Sequence, residues 1–363
     1  MSGRTLLELR DQPDARRLLA AALAEGPAHA YLFHGPAGVG KRSAALAFAG
    51  ELLGDRDRVA RRTHPDLYVV EPLGDQIRID EIRALRRDLH LRPFEADRRA
   101  YLVLSAELMN EDAADALLKD LEEPPAYAVL VLVADDLGPL PETIRSRCQP
   151  VPFRRLSERA VRDVVAARSA GRSPEEVTAL ARVAGGRLDR AERLLDPPAA
   201  ARRTRVLDVA RSVYADADFD PSNAARVLLE AASACGRDAR QQAEQQLEGL
   251  DLPARAAEQR LRRAQRGAER DELLLTLEEI AAWYRDLVIV AAGAESVAVH
   301  ADHLATLRED AAPGRMHAAE RAAELARDSW RSFEEFNVQP ALALEALFIA
   351  LRRELVRPAV PLA

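Results

Sequence analysis

Gly35-Pro36-Ala37-Gly38-Val39-Gly40-Lys41 decides how the rest of the chain is read. It follows the apolar run Ala30-Tyr31-Leu32-Phe33-His34, which suits a short buried strand, and it opens a helix expected from Lys41 to about Leu53. In that setting the glycines let backbone amides converge on phosphate oxygens. The helix N-terminus adds positive potential, and the Lys41 ammonium reaches the outer phosphates. Gly35, Gly38, Gly40 and Lys41 are therefore the candidate nucleotide-binding residues.

The same loop departs from a hydrolysing one. Such a loop places Ser or Thr after the lysine to ligate magnesium, whereas Arg42 stands there and a guanidinium cannot coordinate a cation. Ser43, one residue on, is expected to point away. Hydrolysis also needs an acidic pair at the end of a neighbouring strand, one carboxylate for the metal and one for the attacking water. The candidate strand Arg99–Leu104 is followed by Ser105-Ala106-Glu107, with no such pair. With two metal-handling positions missing, the loop is read either as a remnant that shapes the turn or as a site that holds ATP or ADP without hydrolysis. No metal site is expected.

Outward from the loop, Asp66–Val70, Arg99–Leu104 and Val129–Ala134 read as strands, with helical periodicity over Ile79–Leu89. A helix after Asn110 has its own limits written in. Asn110 can cap it, Glu111 and Asp112 favour its positive end, and Pro124-Pro125 stops it. Strands alternating with helices predict a mostly parallel α/β sheet. After Pro150-Val151-Pro152 the strand signals vanish. Ser157–Leu195 reads as a small helical unit, Pro197-Pro198 as a linker, and the remainder as helical. Its charged stretch Gln241–Glu272 reads as a solvated helix face rather than a coiled coil. Apolar helices are expected over Leu273–Val290 and Pro340–Leu355. The expected domains are an α/β unit at 1–155, a helical lid at 156–198 and an all-α C-terminal domain at 199–363.

Composition excludes several classes. The 363 residues are 48% hydrophobic and 31% charged, which suits a globular chain and not a disordered one. The longest apolar run, Ala126–Ala134, is far short of the ~20 residues that span a bilayer. The charged amphipathic start after Met1-Ser2-Gly3-Arg4 is not a signal segment. Cys148 and Cys235 cannot build a disulfide framework or a four-thiolate zinc site, so a cytoplasmic location is expected. A net charge of -7 argues against autonomous, non-specific DNA binding, while local basic patches stay open. Among the 52 cationic residues only Lys41 and Lys119 are lysines, a skew that points to coding bias toward arginine.

The motifs run in a recognisable order. Gly35–Lys41 is followed by Thr63-His64-Pro65-Asp66-Leu67, Ile77-Arg78-Ile79-Asp80-Glu81-Ile82-Arg83 and Leu91-Arg92-Pro93-Phe94. Leu117-Leu118-Lys119-Asp120-Leu121-Glu122-Glu123-Pro124-Pro125 and Thr143-Ile144-Arg145-Ser146-Arg147-Cys148 complete the series. Together they resemble the bacterial DNA polymerase III clamp-loader subunits of the AAA+ superfamily. The likeness is dense from Ala28 to Phe153 and thinner in Trp283-Tyr284-Arg285-Asp286-Leu287 and Asn337-Val338-Gln339-Pro340-Ala341-Leu342. It implies an AAA+ α/β domain, a lid and a C-terminal collar that assembles with other subunits.

Within the family, the motor's Walker B acids fall on Leu104-Ser105. Its polar strand-end sensor falls on Ala134-Asp135-Asp136, and its lid arginine falls on Asp189, flanked by Arg187 and Arg190. These departures resemble the non-hydrolysing, delta-prime type of subunit. The resemblance implies that Arg147, within Ser146-Arg147-Cys148, enters a neighbour's ATP site as an arginine finger. It implies tau/gamma and delta as ring partners, with the sliding clamp and primed DNA reached through the complex. No cofactor is required on this reading, and no intrinsic ATPase is expected. An active tau/gamma-like ATPase and a nucleotide-binding AAA+ switch in repair or transport are the rivals. Gly54–Thr63 lacks the cysteines of the zinc module that most relatives carry, so no zinc is expected, and His64 reads as a loop or cap residue. Cys148 reads as a packed side chain, and Trp283, Tyr284, Trp330 and Phe333 read as core or interface anchors.

Overall fold

The computed structural model describes residues 11–72, 76–169, 172–247, 254–329 and 338–356. Two compact units divide the chain: Met1–Val164 with Gly186–Arg190, and Val165–Gly185 with Ala191–Ala363. The segment 156–198 contributes to both.

The first unit runs α1 (Pro13–Glu25), β1 (Ala30–His34), α2 (Lys41–Leu53), α3 (Arg56–Ala60), β2 (Leu67–Val70) and α4 (Ile79–Leu89). It continues with β3 (Arg99–Leu104), α5 (Glu111–Glu122), β4 (Ala128–Ala134), α6 (Glu142–Arg145) and β5 (Gln149–Pro152). The strands lie in the order β2-β3-β4-β1-β5, and every neighbouring pair is parallel. All residues of β3 and β4 are buried, because helices cover both faces of the sheet. Phe33, Phe48, Val131 and Phe153 pack on one face, and Leu85, Tyr101, Leu117 and Leu132 on the other. The Asn110 side chain accepts from the Ala113 amide at 3.1 Å, so α5 begins where its cap residue predicts. Its end lies just before the two prolines.

β5 is a strand that the sequence reading did not name. Pro150 and Pro152 argue against a strand, yet this segment pairs with β1 in the register Tyr31 to Gln149. It lies at the sheet's edge, where a missing amide leaves no ladder bond unmade on the outer side.

Asp66, fully buried just before β2, holds the loop that follows α4. Its carboxylate accepts from the amides of Phe94 (2.7 Å), Glu95 (2.9 Å) and Ala96 (2.9 Å). Burial pushes its pKa up, but the three amides and Arg99 more than offset this, and the carboxyl stays below its usual range. Buried Arg99 pairs with Asp88 at 2.7 Å, and its guanidinium lies 5.2 Å from the Phe94 ring centre. The neighbouring His64 accepts from the Asp66 amide through Nδ1 at 3.1 Å, which is the loop role expected of it.

The second unit is helical: α8 (Pro174–Ala184), α10 (Pro197–Ala215), α11 (Pro221–Leu247), α12 (Ala254–Ala291), α13 (Leu304–Asp310), α14 (Met316–Asp328) and α15 (Pro340–Leu355). The short helices α7 (Glu158–Arg168) and α9 (Leu188–Leu195) each run from one unit into the other. Pro197-Pro198 is not a linker. The pair opens α10, where proline's absent amide would be unpaired anyway, and Asp196 caps the helix by accepting from Ala199 at 3.1 Å. The expected apolar helix after Glu272 is continuous with residues 254–272 of the charged stretch in α12, whereas Gln241–Leu247 of that stretch end α11. Trp283 and Tyr284 are buried in the core as expected, donating to Tyr214 Oη (3.1 Å) and the Ala210 carbonyl (2.9 Å). Trp330 and Phe333 lie outside the described residues. No described helix is long and apolar enough to cross a membrane.

This core contains an ionic cluster. Buried His300 sets Nδ1 2.8 Å from Asp286 and Nε2 3.0 Å from Glu279, so both ring nitrogens face carboxylates. Arg203 joins Glu279 and Asp302. Burial pulls the His300 pKa down, but hydrogen bonds and charge from Asp286 and Glu279 outweigh it and raise it above the ordinary value. The sign follows from linkage. The stabilisation is complete below the unfolded value and is lost as pH rises through the raised folded value. Thermal unfolding at pH 6 and pH 9 should show His300→Ala strongly destabilised at pH 6, with a smaller deficit at pH 9. A deficit independent of pH would show that His300 is neutral.

Candidate functional site

Lys41 begins α2, and its side chain is 3% exposed. Its ammonium donates to the carbonyls of Gly35 and Pro36, each at 2.5 Å, and pairs with Asp135 Oδ1 at 2.7 Å. Three acceptors converge on one nitrogen, which suits a compact ammonium and not a planar guanidinium. The other lysine, Lys119, is exposed on α5 and meets no such constraint. Burial and the Lys41 charge lower the pKa of His34 at the end of β1.

Strand order explains Asp135. β4 is the neighbour of β1, with His34 opposite Ala134, so the chain leaving β4 emerges beside the loop leaving β1. Glu107 reaches the same place. Burial, then the Asp135 charge, raise its pKa, while its own amide, the Asp135 amide and Lys41 act against the rise. The sequence showed both carboxylates, Asp135 within the run on which a motor's polar sensor falls, but their approach to Lys41 depends on the order of strands.

Arg42 and Ser105 meet directly. Arg42 Nη2 donates to Ser105 Oγ at 2.6 Å. Ser105 has φ +56° and ψ +52°, a left-handed conformation that side chains disfavour by roughly 1–2 kcal/mol. It turns the chain out of β3 into a short 3₁₀ turn, Ala106–Leu108. In a hydrolysing P-loop enzyme the hydroxyl after the lysine and the strand's aspartate share a magnesium ion. Here Arg42, after the lysine, instead bonds Ser105, the second of the two positions on which the motor's acids fall, with the positive charge fixed on the loop side.

A further carboxylate closes the loop from the side. The Leu188 amide donates to the Gly38 carbonyl at 2.6 Å. Asp189 sits so near Gly38 (φ +72°) that a Cβ there would lie 1.8 Å from Asp189 Oδ1, so only glycine fits. Burial raises the Asp189 pKa, but Arg187, at 2.9 Å, and the Arg190 amide, at 2.8 Å, outweigh it and keep the carboxyl ionised. Gly35 is equally constrained, since a Cβ would lie 2.1 Å from the Phe153 carbonyl.

Arg147 is placed apart from these groups. It donates to the Thr143 carbonyl (2.8 Å) and to Glu122 Oε1 (2.5 Å), with its side chain 34% exposed. Among the described residues it makes no hydrogen bond to the loop or to Ser105. The two most specific sequence runs therefore touch: Glu122 of one steadies Arg147 of the other. Ser146 Oγ donates to the Thr143 carbonyl at 3.2 Å. Cys148 is buried, and burial pushes its thiol up to about 12, so it packs and does not react.

The parallel β2-β3-β4-β1-β5 sheet and the glycine-rich loop after β1 make an α/β fold of the P-loop type, followed in the chain by an all-α part. Residues 11–157 match the family described as DNA polymerase III, delta subunit. The chain is 34% identical over 165 residues to DNA polymerase III subunit delta' of Bacillus subtilis (strain 168), covering 42% of this chain and 50% of that one. It is 40% identical over 136 residues to the delta' subunit of Pseudomonas aeruginosa, covering 33% and 42%. A DNA polymerase III gamma subunit-related protein of Thermotoga maritima has a similar fold. There the TM-score is 0.50 at 18% identity, over 94% of this chain and 99% of that one. The chain spans half or less of the length of these two curated relatives. Over this N-terminal part the chain is similar to DNA polymerase III delta' subunits.

Proposed function

We propose that this chain is a non-hydrolysing stator of a DNA polymerase III clamp loader and donates Arg147 to the ATP site of an adjacent motor subunit. The observation that carries the reading is the direct Arg42–Ser105 hydrogen bond, which joins the position of a motor's magnesium-binding hydroxyl to that of its second strand-end acid. The local donor set does not suit that ion: a guanidinium offers it no lone pair, and the Ser105 hydroxyl already accepts from Arg42. Lys41, Gly35, Gly38 and Gly40 could still meet phosphates once Lys41 releases Asp135 and the loop carbonyls, and ATP or ADP held there stays unhydrolysed. The ring partners are tau/gamma and delta subunits, with the clamp and primed DNA engaged through the complex. The lid at 156–198 and the collar at 199–363 belong to this proposal, with the collar as the assembly surface.

The test is ATP hydrolysis by the isolated chain with magnesium, beside Lys41→Ala. Both should give background rates, while adding the chain to tau/gamma and delta should raise clamp- and DNA-stimulated hydrolysis. Turnover by the isolated chain that Lys41→Ala abolishes would overturn the reading in favour of a motor.

A further inference from the structure

The first part of α12 carries Arg255, Arg260, Arg262, Arg263, Arg266 and Arg270. At 3.6 residues per turn these six fall within an arc of about 160°. Glu258 and Glu269 lie outside that arc, toward α11. Glu258 bonds Arg240 of α11 at 2.8 Å, and Glu269 stands against Gly236. Six arginines against two glutamates over 254–270 give +4, in a chain whose net charge is -7.

Much of this charge is available. Arg255, Arg260, Arg262 and Arg266 are exposed. Arg262 shares Glu258 with Arg240, and these two hold that carboxyl down at about 2. Asp271, at the edge of the arc, lies 3.7 Å from Arg270. Arg255, Arg260 and Arg266 have no ion pair among the described residues.

We propose that this arginine face of α12 docks on the phosphate backbone of duplex DNA. Its composition argues for that partner. A protein interface buries an apolar core, but Leu261, the buried apolar residue of this segment, is already covered by the chain itself. Single-strand binding uses aromatic platforms, and 254–272 contains no aromatic residue. What remains is a row of forked cations over about 22 Å of helix, suited to bidentate contacts with phosphate and blind to base sequence. The surface involves neither Arg147 nor the loop, so it stands independently of the loader reading.

Fluorescence anisotropy of a labelled 20-base-pair duplex with the full chain tests it. Between 50 and 200 mM salt, log affinity should fall against log salt with a slope of about -3 to -4, for about four phosphates neutralised. Arg255→Ala/Arg262→Ala/Arg266→Ala should weaken binding by about 10-fold or more and flatten the slope by about 2.7. The same three changes to lysine should keep the slope, and circular dichroism checks that both variants remain helical. Arg147→Ala should bind duplex as the wild type does. An unchanged slope in the alanine triple, or equal weakening by Arg147→Ala, places the DNA contact elsewhere and overturns the proposal. Equal competition by poly-glutamate at matched charge also overturns it, in favour of an acidic protein partner.

Discussion

Arg147→Ala is expected to lower ATP turnover at the receiving site of the reconstituted loader by about 10³-fold, the low end of what trans arginines contribute. The guanidinium is already presented before any partner arrives. Glu122 and the Thr143 carbonyl hold it with its side chain partly exposed, so little ordering is left for assembly. In the transition state its fixed charge and forked donors would meet the γ-phosphate oxygens. The variant should keep its own stability to within about 1 kcal/mol, because an exposed ion pair contributes little. Ring assembly should also persist, which separates a lost finger from a lost subunit. Arg147→Lys keeps the charge without the fork and should recover only part of the rate. The readout is clamp- and DNA-stimulated ATP hydrolysis, with assembly followed by gel filtration. An intact ring turning over at the wild-type rate would remove the finger role.

The second large effect is on stability. Asp66→Ala should cost about 3–5 kcal/mol, the range for removing one partner from a buried ionic arrangement. The carboxylate satisfies three amides of the 94–96 loop and faces the buried Arg99, so its removal takes the shared acceptor from all three donors and leaves Arg99 facing one carboxylate fewer. Asp66→Asn retains an acceptor without the charge and should lose less. Since the native carboxyl is held below its usual range, the stabilisation is present above the unfolded value and is lost as pH falls through the native one. Urea midpoints of the three proteins at pH 7 and pH 3 test this. A gap between wild type and Asp66→Ala as wide at pH 3 as at pH 7 would show that the charge is not what holds the loop.

Most of the α/β unit was legible because its signals are local. β1 and β3 form apolar runs with the expected bounds, and α5 starts at its cap and ends before its prolines. β5 was hidden because only an edge position makes Pro150 and Pro152 acceptable, and edge position is set by strands far away in sequence. Pro197-Pro198 was misread because proline both breaks and begins helices, and Asp196, one residue earlier, decides which. The site divides similarly. Missing catalytic types at Arg42 and Ser105 could be read directly, whereas their mutual bond could not. The pairing of Lys41 with Asp135 needed β1 and β4 to be neighbours. The closure of Gly38 by Asp189 needed the short segment 186–190 to return to the first unit from far downstream.

The Arg42–Ser105 contact also changes how the domain is coupled to its surroundings. In a motor, the link between phosphate loop and central strand exists only while a diffusible ion is bound. It therefore strengthens and weakens with ion and nucleotide concentration by mass action. Here the cation is covalently part of α2, so no chelator removes it and no change in nucleotide supply titrates it. One wall of the domain is thus set at synthesis rather than at each catalytic cycle. On the proposed stator role, this is what would let the subunit serve as a constant reference against which its neighbours move.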